Sequence, residues 1–246
     1  MSDIIKTEAV VLSKMNYGDT STILTLFTES EGKLSAIVKG GRNPKSKMGK
    51  VIEPLNHLQI IFYKKPSREL QIISNAEIIS YFPKIKDGLE STKYSFAVIE
   101  LVKNLTVEDE ANNKLFKGLI KILSLIDEKN ENPAVLFGRF FLFFLSELGY
   151  DLAIDKCGIC GKQNTSNGSL GFDIDLGFVC SDCYKSHSGL ETISAELFNY
   201  LSCLKFNKKV DIHNMDLNKK LINLLEQYLK FHISDFKGIQ SLRIFE

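Results

Sequence analysis

The stretch Thr20-Ser-Thr-Ile-Leu-Thr-Leu-Phe-Thr28, followed by Glu31-Gly32 and by Lys33-Leu-Ser-Ala-Ile-Val-Lys39, reads as two β-strands joined by a tight turn. Both runs are rich in β-branched and apolar residues with partial period-two alternation, and Gly32 supplies the positive φ that a hairpin turn needs. Working outward, Thr7 to Ser13 reads as a strand before the hairpin, and Leu58 to Tyr63 and Glu69 to Ile73 read as two strands after it. Gly40 to Lys50, rich in Gly, Pro and Lys, reads as a loop between the third and fourth strands. Five short strands in about 75 residues with one long loop suit a small closed barrel of the OB type. A five-stranded sandwich half has the same periodicity and stays open as the alternative.

After Tyr81-Phe-Pro83 the pattern turns helical. Leu89 to Leu105 and Asn113 to Ile126 repeat apolar residues at three- and four-residue spacing, as in Leu115, Leu119, Ile122 and Ile126. Pro133 opens a helix that is apolar nearly all round, which marks it as packed on every side, and Gly149 ends it. Two more helices are expected, from Ser194 (the N-cap) to Phe206 and from Asp216 to His232. The expected fold class is therefore α+β: an OB-type barrel over residues 1–80, then a helical domain over 81–246 with a cysteine module inserted at about 153–188.

The 246 residues carry 31 basic and 30 acidic side chains, but the balance is uneven. Between Lys33 and Arg68 nine basic residues (Lys33, Lys39, Arg42, Lys45, Lys47, Lys50, Lys64, Lys65 and Arg68) face one acid, Glu53. A concentrated positive region on an otherwise mildly acidic chain is an electrostatic footprint for a polyanion, although charge runs are also common as plain solvated faces. No apolar run approaches the length of a transmembrane helix, since Ala134 to Leu145 is short and broken by Gly138 and Arg139. The opening Met1-Ser-Asp-Ile-Ile-Lys has no secretory pattern, so a cytoplasmic protein with no membrane partner is expected.

Cys157-Gly-Ile-Cys160 and Cys180-Ser-Asp-Cys183 pair two C-x2-C turns at a separation that reads as a zinc site. Each turn presents two thiolates on one side of a knuckle, and Gly158 and Gly161 let the backbone curl. Four thiolates leave no open coordination position, so one structural Zn²⁺ is expected rather than a catalytic one. A redox or iron–sulfur centre, disulfides and unliganded thiols are the competing readings. His187 reads as a surface residue, Cys203 as a small core residue, and Asp173 with Asp175 as turn formers rather than a metal pair.

No P-loop, Rossmann glycine pattern, H-E-x-x-H or G-x-S-x-G is present, and His57, His213 and His232 have no nucleophile beside them. The expectation is a binding protein, not an enzyme. The basic loop would neutralise phosphates, Gly40 and Gly41 would let backbone amides approach them, and Tyr63 with Lys64, Lys65 and Arg68 would combine base stacking with charge. Two rivals remain: a thiol oxidoreductase using Cys157 and Cys160, and a zinc-containing transcription or RNA-binding factor.

Three runs carry a further resemblance: Glu8 to Ser21, Leu26 to Gly32, and Val38-Lys-Gly-Gly-Arg-Asn-Pro-Lys-Ser46. With Glu53-Pro-Leu, the two knuckles, Tyr228-Leu-Lys-Phe-His232 and Ser241-Leu-Arg, in that order, the chain resembles the RecO family of bacterial DNA repair proteins. The resemblance implies an N-terminal OB-fold, a helical domain and a four-cysteine zinc finger. It also implies binding of single- and double-stranded DNA, annealing of complementary strands, and loading of RecA with the partner RecR onto DNA coated by single-strand-binding protein, whose C-terminal tail is a further partner. A cytoplasmic, nucleoid-associated location goes with it. The loop bearing Lys39, Arg42, Lys45 and Lys47 falls at the family's basic loop. The chain departs from the pattern after Gly41, where only Arg42 precedes Asn43 instead of two basic residues.

Overall fold

The computed structural model describes residues 3–165, 168–210 and 215–244; His213 lies outside them. Five strands, β1 (Asp3–Tyr17), β2 (Ser21–Thr28), β3 (Gly32–Val38), β4 (His57–Lys64) and β5 (Gln71–Ser80), close into a barrel in the order β1-β2-β3-β5-β4. β1 makes the closure possible because it is long enough to serve two partners. Its N-terminal half pairs with β4 and its C-terminal half with β2, and a bulge between Val11 and Ser13 bends the strand near the changeover. The seam between β3 and β5 is parallel and short, joining Ala36 to Gln71 and Ile37 to Ile72. The barrel-first α+β order is as expected, and closure excludes the sandwich half. β1 and β5 run beyond their expected limits of Thr7–Ser13 and Glu69–Ile73.

Alternate residues on the strands fill the interior. Leu24, Leu26, Ala36, Val38, Leu58, Ile60 and Phe62 are fully or almost fully buried, with Ile52, just past the basic loop, among them. Each buried Leu, Ile, Val or Phe among them contributes about 1.5–3 kcal/mol relative to exposure.

Three helices follow: α1 (Pro83–Lys86), α2 (Leu89–Leu105) and α3 (Asn113–Glu128). The Asn112 side chain caps α3 by accepting from the Leu115 N–H at 2.8 Å. The stripe of Leu115, Leu119, Ile122 and Ile126 is buried as its spacing requires. Phe116 beside it lies 6.3 Å from the Phe27 ring and 6.0 Å from His57, ring centre to ring centre. These helices pack with the barrel. In packing, the compact unit that holds the barrel extends through these helices to Pro133, and the segment from Ile239 returns to it.

The second unit contains α4 (Pro133–Glu147), whose phenylalanines are buried nearly all round. It continues with β6 (Leu170–Asp173), β7 (Gly177–Val179), α5 (Ser181–Ser186), β8 (Glu191–Ile193), α6 (Ala195–Lys205) and α7 (Met215–His232). The three strands form an antiparallel sheet in the order β7-β6-β8. Ser194 caps α6 through the Leu197 N–H at 3.2 Å. A last short helix, α8 (Gln240–Arg243), belongs to the first unit, where the Glu100 carboxylate accepts from the Gln240 and Ser241 N–H groups, both at 2.7 Å.

Candidate nucleic-acid interface and cysteine cluster

The loop after β3 is built from consecutive turns rather than left open. Asn43 N–H donates to Gly40 O at 3.0 Å, Ser46 N–H to Asn43 O at 2.8 Å, and the Asn43 side chain accepts from Lys45 N–H at 3.0 Å. Asn43 therefore shapes the turn. Met48 and Val51 pack against the barrel core and tether the far end of the loop. Lys39, Lys45, Lys47 and Lys50 are left exposed, and no ion pair joins them to a carboxylate among the described residues. Glu53, the only acid of the basic stretch, is paired with Lys14 at 2.7 Å. Among the described residues the charge of these four lysines is thus not neutralised by an ion pair.

The remaining candidates divide. Arg42 is exposed, but its guanidinium donates to the Gly18 carbonyl and its N–H to Thr20 O at 2.8 Å, so it also fastens the loop to the β1–β2 turn. Gly41 is buried and its amide donates to Val38 O at 3.3 Å; it is not turned toward a ligand. Tyr63 is 38% exposed and outward-facing, so it is not a core residue. Lys65 is exposed and Arg68 half-buried, in a turn held by the Gln71 side chain through Lys65 and Arg68.

Lys33 and Lys64 have internal partners. Lys64 pairs with Glu31, whose hydrogen bond raises its pKa. Lys33 donates to Lys103 O at 2.9 Å; burial lowers its pKa against the opposing pull of Glu108. Sequence reasoning passed over Glu31, Glu108 and Asp109 because their closeness to these lysines comes from the fold. The Asp109 N–H to Lys33 O bond, at 2.9 Å, was signalled by no motif.

In the second unit the four cysteines converge. Their sulfurs all lie within 4.8 Å of one another, and Cys160 Sγ is 3.8 Å from Cys180 Sγ. A tetrahedral S4 site with metal–sulfur bonds of about 2.3 Å has edges of about 3.8 Å, so the cluster fits a tetrahedral metal ion. One knuckle closes through Cys157 N–H to Lys162 O at 2.8 Å and Gly161 N–H to Cys157 O at 2.9 Å, with Gly161 at φ +71°. A Cβ at Gly158 would lie 1.9 Å from Leu176 O, so only glycine fits there. The second knuckle runs into α5, with Cys180 at the cap position.

Burial opposes ionisation of Cys157, but backbone N–H groups of Cys160, Cys180 and Ile159 outweigh it and bring the thiol to about 6. Desolvation and hydrogen bonds to the other three sulfurs push Cys183 up to about 12. Such sharing of protons is what a cation would replace. Cys157 and Cys160 therefore do not stand apart as an isolated dithiol. His187 is exposed and hydrogen-bonds through Nδ1 to the Cys183 carbonyl at 2.9 Å, outside the cluster. Asp173 Oδ1 accepts from Asp175 and Leu176 N–H at 2.9 and 3.0 Å, the turn role expected of it. Cys203 is half-buried rather than in the core. Among the described residues no helix is long and apolar enough to cross a membrane.

A closed barrel with an outward cationic loop, coupled in one chain to helices bearing a four-cysteine metal-ligand module, defines a barrel-and-knuckle class of protein. Family models place it further. Recombination protein O N terminal matches residues 1–82 and Recombination protein O C terminal matches residues 88–238. The chain is 33% identical to the DNA repair protein RecO of Chloroherpeton thalassium, over 98% of each chain. It is 30% identical to that of Chlorobium limicola, over 94% of this chain and 93% of the relative. It is 28% identical to that of Alkaliphilus metalliredigens, over 98% of each. The chain belongs to the RecO family.

Proposed function

We propose that this chain acts in DNA repair and homologous recombination by binding single- and double-stranded DNA and annealing complementary strands. With RecR it would help load RecA onto DNA coated by single-strand-binding protein. The observation that carries this reading is the loop from Lys39 to Lys50, which holds four lysines in solvent with no carboxylate paired to them among the described residues. Membership of the RecO family, whose named relatives are DNA repair proteins, supports it. The cysteine cluster takes one zinc ion and braces the helical unit; a site closed by four thiolates leaves no position for a substrate.

Annealing needs no covalent step. Two strands repel through their phosphates, and a surface that neutralises both raises their encounter rate. The protein therefore works without enzymatic turnover, in the cytoplasm, on nucleoid DNA. Mixing complementary labelled oligonucleotides with the full chain in the absence of nucleotide tests this. Accelerated annealing is the expected result. A strict requirement for ATP hydrolysis would contradict it, and footprints confined to one duplex sequence would support the transcription-factor rival instead.

A further inference from the structure

The four clustered cysteines are equivalent as metal ligands but not as targets for a reagent arriving from water. Cys157 is 3% exposed, and its sulfur accepts from the Ile159 N–H at 3.4 Å. Cys180 and Cys183 are half-buried, the first at the cap of α5 and the second within that helix. Cys160 is the exposed member of the four. Its surroundings keep it so. Gly161, the next residue, has φ +71°, and beyond its chain neighbours no atom lies within 4 Å of where its Cβ would be. Gly158 and Lys162 on the same knuckle are exposed as well. The turn that brings two sulfurs to the metal therefore leaves one of its cysteines open to solvent.

The exposed cysteine also has a reaction partner at hand. Cys160 Sγ is 3.8 Å from Cys180 Sγ, which belongs to the other knuckle. A disulfide needs about 2.05 Å between its sulfurs, so roughly 1.8 Å of closure would join the pair. The thiolate is the form that binds a metal and also the form that attacks an oxidant. Once joined, neither sulfur carries the charge that holds a cation, so one bond between the knuckles removes two of the four ligands together. The sheet beneath has support of its own: Phe178 on β7 is fully buried, with its ring 5.0 Å from Phe172 and 5.4 Å from Phe198 on α6. Opening is thereby confined to the knuckles. All five cysteines of the chain lie in the second unit, so their oxidation leaves the lysine loop of the barrel as it is.

We propose that Cys160 is an oxidation site through which hydrogen peroxide releases the metal and opens the cysteine module. The Cys160 thiolate attacks one peroxide oxygen, the O–O bond breaks and hydroxide leaves, so that sulfur becomes a sulfenic acid and gives up two electrons. The Cys180 thiolate then attacks that sulfur, the S–O bond breaks and a second hydroxide leaves. In sum, two thiolates, one hydrogen peroxide and two protons give one disulfide and two waters, and the zinc ion dissociates. A dithiol reductant with added zinc reverses the change. This rests on the zinc reading above and adds that the brace is removable, beginning at one named sulfur.

The test treats the full chain, purified under reducing conditions and then freed of reductant, with hydrogen peroxide beside a metal-binding dye. About one zinc per chain should be released, and a dithiol with added zinc should restore it. Peptide mass spectrometry should find a disulfide between Cys160 and Cys180, and dimedone present during the reaction should label Cys160 before any other member of the cluster. Cys160→His retains four ligands in a Cys3His set and should slow release by about fivefold or more. Cys203→Ser changes the one cysteine outside the cluster and should leave the rate within about twofold. The mapping on wild type decides the matter should Cys160→His not hold zinc. Zinc retained while Cys203 is oxidised, first labelling of Cys157, Cys180 or Cys183, a disulfide within one knuckle, or release from zinc-loaded Cys160→His at the wild-type rate would each overturn the proposal. A purified chain without zinc would instead overturn the metal reading on which it rests.

Discussion

Cys160 Sγ lies 3.8 Å from Cys180 Sγ, one sulfur from each of two knuckles separated by a sheet-forming segment. That distance is an edge of the tetrahedron that a zinc ion with four thiolates requires. Without the ion, four thiols at this spacing have little to hold them together. The purified chain is expected to contain about one zinc, and a strong chelator should open residues 155–185 to protease while DNA binding by the barrel persists. Elemental analysis and limited proteolysis check this. A metal-free chain that resists protease in this segment would contradict it.

His57 predicts how stability responds to pH. Its Nε2 is 2.9 Å from Glu8 Oε2 at the β4–β1 closure, and the side chain is almost wholly buried. Burial lowers its pKa, outweighing the raising influence of the Glu8 hydrogen bond and charge. The unfolded chain therefore binds the proton more readily, and stability falls as pH drops below about 6.5 until the folded pKa is passed, by at most about 1.4 kcal/mol per pH unit. Urea unfolding of wild type and His57→Gln between pH 7.5 and 5 should show a smaller loss in the variant. Parallel losses would show that His57 is not responsible.

Much of this was legible in the sequence, and the gaps have physical causes. Helix α2 occupies Leu89–Leu105 as expected because its period is local, and the two cysteine knuckles declare themselves by spacing. The expected limits of β1 and β5 are too short because the added residues, such as Ile4, Met15, Ile78 and Ile79, are exposed and break the inward–outward alternation, and they are strands only because distant partners pair with them. The outward Ile23, Ile37 and Ile72 blurred the alternation of three strands, and only the register shows that they form one line. Lys33 and Lys64 looked like their neighbours in the basic stretch. Their partners, the Lys103 carbonyl and the Glu31 carboxylate, are brought to them by the fold.

Gly32 and Gly40 make a matched pair for stability. Both have φ near +70°, but a Cβ at Gly32 would lie 2.0 Å from the Glu110 carbonyl oxygen, whereas one at Gly40 would meet nothing within 4 Å. Gly40→Ala should cost about 1 kcal/mol, the backbone penalty alone. Gly32→Ala should cost about 2–4 kcal/mol, because the Glu108–Glu110 segment must also move off the hairpin. Thermal or urea unfolding measures both; equal costs would mean that this contact is not held in solution.

The salt dependence of DNA affinity bears most closely on the role of the exposed lysines. With about five phosphates engaged, log K should fall against log salt with a slope of about −3.5 on single strands and −4.5 on duplex. Replacing Lys39, Lys45, Lys47 and Lys50 together by glutamine removes four cations while leaving the Arg42 anchor intact. The predicted result is weaker binding with a slope shallower by about 3 on single strands. Unchanged affinity with an unchanged slope would remove the loop from the interface, and with it the claim that these cations exist to hold DNA.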